Sequence, residues 1–105
     1  MLYIICTPIG NLNDFSLRSI NTLKHVDKIF AEDTRVAAKL LQHFDIKKKT
    51  KPFHEHNENE ASDEIISLIK KGNTIALLSD AGAPLISDPG YPLIRKCIIE
   101  NILLH

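Results

Sequence analysis

The chain has 105 residues, 44% of them hydrophobic, and its 13 Lys and Arg are balanced by 13 Asp and Glu. That length allows one small domain with a packed core, and a formal charge of zero removes the overall basic excess that would by itself argue for nucleic acid. No apolar run approaches the roughly 20 residues of a membrane helix, and Leu2 to Cys6 is too short, with no basic residues before it, for a signal peptide, so a cytoplasmic protein is expected.

In chain order, Leu2 to Cys6 reads as a buried strand ended by the turn Thr7-Pro8-Ile9-Gly10-Asn11. Asp14 is placed to cap a helix whose apolar face carries Leu17, Ile20, Leu23 and Val26. Ile29-Phe30-Ala31 is a second short strand ending at Glu32-Asp33-Thr34. Asp33 or Thr34 then caps a helix with Ala37, Leu40, Leu41 and Phe44 on one side. A basic connection, Lys47 to Lys51, leads to a short strand expected over Pro52-Phe53-His54-Glu55-His56. Asn57, with Glu60 three residues on, caps a third helix that buries Ala61, Ile65, Leu68 and Ile69 and stops at Gly72. Thr74 to Leu78 is a fourth strand. Asp88 and Pro89 start a fourth helix facing inward through Leu93, Ile94, Cys97 and Ile98, and Ile102-Leu103-Leu104-His105 opens as a further strand. Cys6 and Cys97 lack C-x-x-C spacing and sit in apolar runs, as small buried hydrophobes of a reducing compartment do. The alternation of strand and helix predicts an α/β fold: a mainly parallel sheet with helices on both faces, joined by right-handed crossovers.

In a parallel sheet the loops Thr7 to Asn13, Glu32 to Arg35 and Ser79 to Gly90 leave the same edge, where open α/β sheets bind ligands. Neither G-x-G-x-x-G nor G-x-x-x-x-G-K-[ST] is present, which weakens dinucleotide and nucleoside-triphosphate readings. The loop S-D-A-G-A-P-L-I-S-D-P-G from Ser79 to Gly90 is long for a connection in a compact domain, as a binding loop is. Glu32, Asp33, Thr34 and Arg35 serve equally as a helix cap or as a site in which Arg35 recognises phosphate. His54 and His56 share a strand face, but no third ligand accompanies them, so a polar edge strand is expected and no metal. Lys47, Lys48, Lys49 and Lys51 are a solvated loop or a contact with a nucleic-acid backbone.

T-P-I-G-N-L-N-D at Thr7 to Asp14, A-E-D-T-R at Ala31 to Arg35, H-E-H-N-E at His54 to Glu58 and the Ser79 to Gly90 loop together resemble the ribosomal RNA small subunit methyltransferase I family. Those enzymes are of the tetrapyrrole methylase fold group. The resemblance covers essentially all 105 residues and implies the amino-terminal half of a two-domain fold, with the second domain absent after the strand begun by Ile102. It implies S-adenosyl-L-methionine as cofactor and a cytidine 2′-hydroxyl in the decoding region of 16S rRNA as acceptor, within the small ribosomal subunit. Pro8, Gly10, Ser79, Asp80, Ala81, Gly82, Pro84 and Ile86 would line the cofactor site. Glu32, Asp33 and Asp80 are the candidates for proton acceptor, and Arg35, Lys47, Lys48 and Lys49 for RNA contact. The family implies a homodimer without membrane attachment. Because the cleft's other wall belongs to the second domain, the chain alone is expected to be impaired in turnover. A non-catalytic remnant that binds RNA or cofactor, and a same-fold methylase with another acceptor, are the alternatives.

Overall fold

A computed structural model describes residues 1–6, 12, 15–53 and 57–79. They form β1 (Leu2–Cys6), α1 (Leu17–His25), β2 (Lys28–Ala31), α2 (Thr34–His43), β3 (Thr50–Pro52), α3 (Glu58–Lys70) and β4 (Ile75–Ser79). All pairings in the four-stranded sheet are parallel, in the order β1-β4-β2-β3. The strand that comes last in sequence is therefore inserted between β1 and β2, and all five of its residues are buried. A strand covered on both faces needs the unbroken apolar run Ile75-Ala76-Leu77-Leu78 in place of an alternating pattern.

Side chains alternate across the sheet and build two cores. Ile5, Ile29, Ala31, Ala76 and Leu78 meet Leu23 of α1 and Ala37, Leu40 and Leu41 of α2 on one face. Leu2, Phe30, Ile75 and Leu77 meet Phe53 and Ala61, Ile65 and Ile66 of α3 on the other. The two crossovers that advance across the sheet lie on the first face and the returning one on the second, as a single crossover hand requires.

Several helix ends differ from expectation. Ser16 caps α1, its Oγ accepting from the Ser19 amide at 3.0 Å, in the role assigned to Asp14; Asp14 itself lies outside the described residues. With the helix starting at Leu17, that side chain falls in the first turn and is 73% exposed, while Ile20, Leu23 and Val26 pack inward. Of the two candidates for the α2 cap, Asp33 takes the position, as one of the alternatives expected. Asn57 caps α3 without a side-chain cap bond, and its Nδ2 donates instead to the Pro52 carbonyl at 3.0 Å. β3 begins at Thr50, two residues before the expected start. Its Pro52 has no amide hydrogen to give, a lack that an outer strand tolerates. The expected strand residues His54 and His56, the fourth helix and the strand at Ile102 lie outside the described residues.

Two helices end in the same left-handed cap. In α3, the Gly72 amide donates to Ile69 and the Asn73 amide to Leu68, with Gly72 at φ 98°. In α2, the Asp45 amide donates to Gln42 and the Ile46 amide to Leu41, with Asp45 at φ 55°. This pairing satisfies the last carbonyls of each helix, and glycine is its usual residue because no Cβ is present to crowd the backbone.

Lys48 closes the end of α1. Its Nζ donates to the carbonyls of Leu23 at 3.0 Å, Lys24 at 2.7 Å and Val26, placing a cation at the negative end of the helix dipole. Loss of hydration there lowers the Lys48 pKa, and Asp27 opposes the shift. Asp27 ties the start of β2 to the start of β4. Its Oδ2 accepts from the Thr74 amide at 2.7 Å and the Thr74 hydroxyl at 3.1 Å, and its own amide donates to the Thr74 carbonyl.

Asp45→Gly is expected to raise stability by about 0.5–1 kcal/mol, seen as a higher urea midpoint, because glycine occupies the left-handed position without strain. Hydrogen bonds from Thr74 hold the Asp27 carboxyl below its usual 3.8. A carboxyl with a depressed folded pKa adds stability above its unfolded pKa and loses it as pH falls through the folded value. The acid limb of a stability–pH curve below about 3.8 should accordingly be shallower in Asp27→Asn than in the parent.

Candidate active site at the carboxyl edge of the sheet

The central strands β2 and β4 end side by side, with Ala31 in register with Leu78 and, across β4, Cys6 with Ser79. The ladder runs one residue past β2, because the Glu32 amide donates to the Leu78 carbonyl at 3.2 Å. Ser79 follows Ile75 and Leu77 on the α3 face of the sheet, and Glu32 follows Phe30 on that same face. The Ser79 hydroxyl donates to Glu32 Oε1. Ser79 is fully buried and Glu32 half-buried, so a carboxylate is anchored from inside the fold and set at the mouth of the sheet.

The next residue does a different job. Asp33 Oδ1 accepts from the amides of Arg35 at 3.0 Å and Val36 at 3.3 Å, satisfying donors that open α2 would otherwise leave unpaired. Arg35 Nε lies 3.9 Å from the same oxygen, and its side chain is 92% exposed. A–E–D–T–R is thus divided by the backbone: Glu32 belongs to the sheet edge, Asp33 to the cap, and Arg35 to solvent beside them. An anchored carboxylate can hold a cationic or hydroxyl-bearing ligand, or take a proton from a reacting hydroxyl.

The structure brings Glu32, Asp33, Arg35 and Ser79 together at one edge. Pro8, Gly10, Asp80, Ala81, Gly82, Pro84 and Ile86 lie outside the described residues. Lys47, Lys48 and Lys49 precede β3 at the opposite edge, separated from Glu32 by the length of α2, about 15 Å for ten residues. Lys47 and Lys49 are exposed, whereas the Lys48 ammonium is turned inward onto α1. Among the described residues, no group of three or more His, Cys, Asp or Glu is arranged to hold a metal ion. The Glu32–Ser79 contact, 47 positions apart in sequence, had only one local signal: each residue directly follows a buried apolar run. Ser62 gave none; it is a fully buried hydroxyl on α3 with no hydrogen-bond partner among the described residues.

The family model described as Tetrapyrrole (Corrin/Porphyrin) Methylases matches residues 1–102. A protein of Halalkalibacterium halodurans named "Ribosomal RNA small subunit methyltransferase I" is 54% identical over 96% of this chain and 35% of its own length. Proteins of the same name from Haemophilus influenzae and Mycoplasmopsis pulmonis are 52% and 48% identical, over 92% and 99% of this chain and 34% and 47% of theirs. The chain therefore spans from about a third to a half of the length of these relatives. Among solved structures, uroporphyrin-III-C-methyltransferase from Thermus thermophilus superposes with TM-score 0.73 at 18% identity, over 98% of this chain and 44% of that one. A diphthine synthase superposes with TM-score 0.75 at 14% identity, over 98% of this chain and 41% of that one. At such identities the likeness establishes the fold.

Ser79→Ala removes the buried hydroxyl that donates to Glu32, and should cost about 1–2 kcal/mol in urea denaturation, while Glu32→Gln, which keeps an acceptor oxygen, should cost less.

Proposed function

The chain belongs to the tetrapyrrole (corrin/porphyrin) methylase family, and on that premise we propose that its sheet edge is the cofactor side of an S-adenosyl-L-methionine-dependent rRNA methyltransferase. The acceptor in this reading is the ribose 2′-hydroxyl of a cytidine in the decoding region of 16S rRNA. The observation that carries it is the Ser79–Glu32 hydrogen bond, which joins the first residue of the S-D-A-G-A-P loop to the A-E-D-T-R segment at the mouth of the central strands. Relatives about half identical over nearly the whole chain, all bearing the rRNA methyltransferase name, support the acceptor class.

The residues present suit the cofactor. A sulfonium is cationic and its nucleoside carries hydroxyls, and a carboxylate held at the crevice by a buried hydroxyl serves both. In this reading Ser79, Asp80, Ala81, Gly82, Pro84 and Ile86, with Pro8 and Gly10, hold S-adenosyl-L-methionine, which when bound supplies an electrophilic methyl group. Glu32 is the proton acceptor favoured among the three carboxylates, because Asp33 Oδ1 is occupied by the α2 cap and Glu32 stands where the two motifs meet. Orientation of the hydroxyl against the methyl carbon provides much of the rate in such a displacement, and removal of the hydroxyl proton adds a further factor of about 10²–10⁴. Arg35 is placed to meet an RNA phosphate beside the site. The fold's second wall and a homodimeric assembly, both implied by the sequence resemblance, complete the proposal.

In a full-length homologue, calorimetry with S-adenosyl-L-methionine should show binding that the substitution matching Asp80→Ala weakens by about tenfold, equivalent to one lost charge-assisted hydrogen bond; equal affinities would count against the loop assignment. With a methyl-labelled cofactor and 30S subunits, a transfer-competent protein carrying this sequence should place the label on the ribose of a 16S cytidine. Label on a base, or in another RNA, would overturn the acceptor.

A further inference from the structure

The overall charge of zero conceals a strong segregation. Residues 34–51 hold six of the chain's 13 Lys and Arg, namely Arg35, Lys39, Lys47, Lys48, Lys49 and Lys51, against one of its 13 acids, Asp45. The segment therefore carries a formal charge of +5 and the rest of the chain −5. The fold decides how much of that charge faces outward. Lys48 is spent on the α1 carbonyls, and Lys51 pairs with Glu64 at 2.6 Å.

The remaining cations lie along one side of α2 and its exit. Ala37, Leu40 and Leu41 face the sheet and Phe44 packs against the same core, which fixes the helix's rotation. Arg35, Lys39 and His43, each four residues from the next, together with Gln42, occupy the opposite face and are exposed. Spacing of four residues places side chains on one face at a rise of about 6 Å per step. Neither α2 nor its first turn contains an acidic residue. Where the helix ends lies a groove of about 500 Å³ floored by Ala38, Leu41 and Ile46 and edged by Lys47 and Lys49, with Asp45 the one acid in its lining. His43 stands edge-on to Phe44 with centroids 4.8 Å apart.

We propose that this face of α2 is an RNA track. The phosphodiester backbone of the acceptor strand runs from the site at Arg35 along Lys39 and His43 to Lys47 and Lys49, and the apolar floor of the groove receives an unstacked base or ribose. The inference rests on the rRNA reading above and extends it with a path, Lys39 and His43 being the new members. Charge complementarity selects the partner, since a face carrying Arg35, Lys39, Lys47 and Lys49 on a neutral protein matches a polyanion, with Asp33 and Asp45 only at its two ends. The alternation of point cations with a shallow apolar groove suits a single strand, whose bases are available to lie against a surface.

The test is fluorescence-detected binding of a short mixed-sequence single-stranded RNA to the chain across a salt series. Lys39→Ala should lower the slope of log affinity against log salt by about 0.7, and Lys47→Ala with Lys49→Ala by about 1.4, as expected for one and two lost phosphate contacts on a single strand. Lys70→Ala with Lys71→Ala, at the exposed end of α3, should leave the slope unchanged. All these positions are surface-exposed, and circular dichroism checks each fold. Equal slopes for the α2 variants and the parent, equal losses in the α3 control, or no RNA binding by the parent would overturn the track. Calorimetry with S-adenosyl-L-methionine reports separately on the cofactor reading, so a chain that binds cofactor but ignores these substitutions refutes the track alone.

Discussion

Everything that positions the site depends on β4 being seated between β1 and β2. Its two ladders align Cys6, Ser79 and the end of β2 at one edge, and its alternating side chains are shared between both cores. A one-residue slip would exchange Ala76 and Leu78 with Ile75 and Leu77 across the sheet and turn Ser79 away from Glu32. The register is held at the other end by Asp27 and Thr74, which exchange backbone and side-chain hydrogen bonds. The chemistry at the carboxyl edge therefore rests on small polar contacts at the amino edge.

The placement of polar groups follows from this frame. Two adjacent carboxylates, Glu32 and Asp33, have different duties because the chain passes from strand to helix between them. One is tied to a strand's terminal hydroxyl, the other to the first amides of α2. Arg35, just inside the helix, is directed outward. The same helix thus begins at the site, buries one face against the sheet and presents a cationic face to solvent.

Much of this was legible in the sequence. The three apolar runs of β1, β2 and β4, the alternation with amphipathic helices, the stop at Gly72 and the α2 face all follow from local periodicity and turn chemistry. What local pattern could not supply was competition between neighbours. Ser16 lies closer to the first apolar turn than Asp14 and takes the cap. Leu17 belongs to the apolar rhythm but is exposed in the first turn of α1, so rhythm alone misplaces it. Ile66 is buried because α3 lies on a strongly apolar sheet face that accepts a wider arc than the minimum stripe. Lys48 looked like one of four equivalent cations until tertiary structure brought the end of α1 beneath it. At the site, the pairing of Ser79 with Glu32 depended on strand order, which local pattern does not encode.

The strand order also has a consequence during synthesis. Among the described residues β1 pairs only with β4, and Leu2 must wait for Ile75. At about 5–20 residues per second a ribosome needs several seconds to supply that partner. During the wait β2, α2 and β3 can associate as a local unit, since parallel neighbours joined by one helix close a short loop. Throughout it the apolar Leu2-Tyr3-Ile4-Ile5 remains an open edge on the nascent chain, a natural point for chaperone capture or for misassociation.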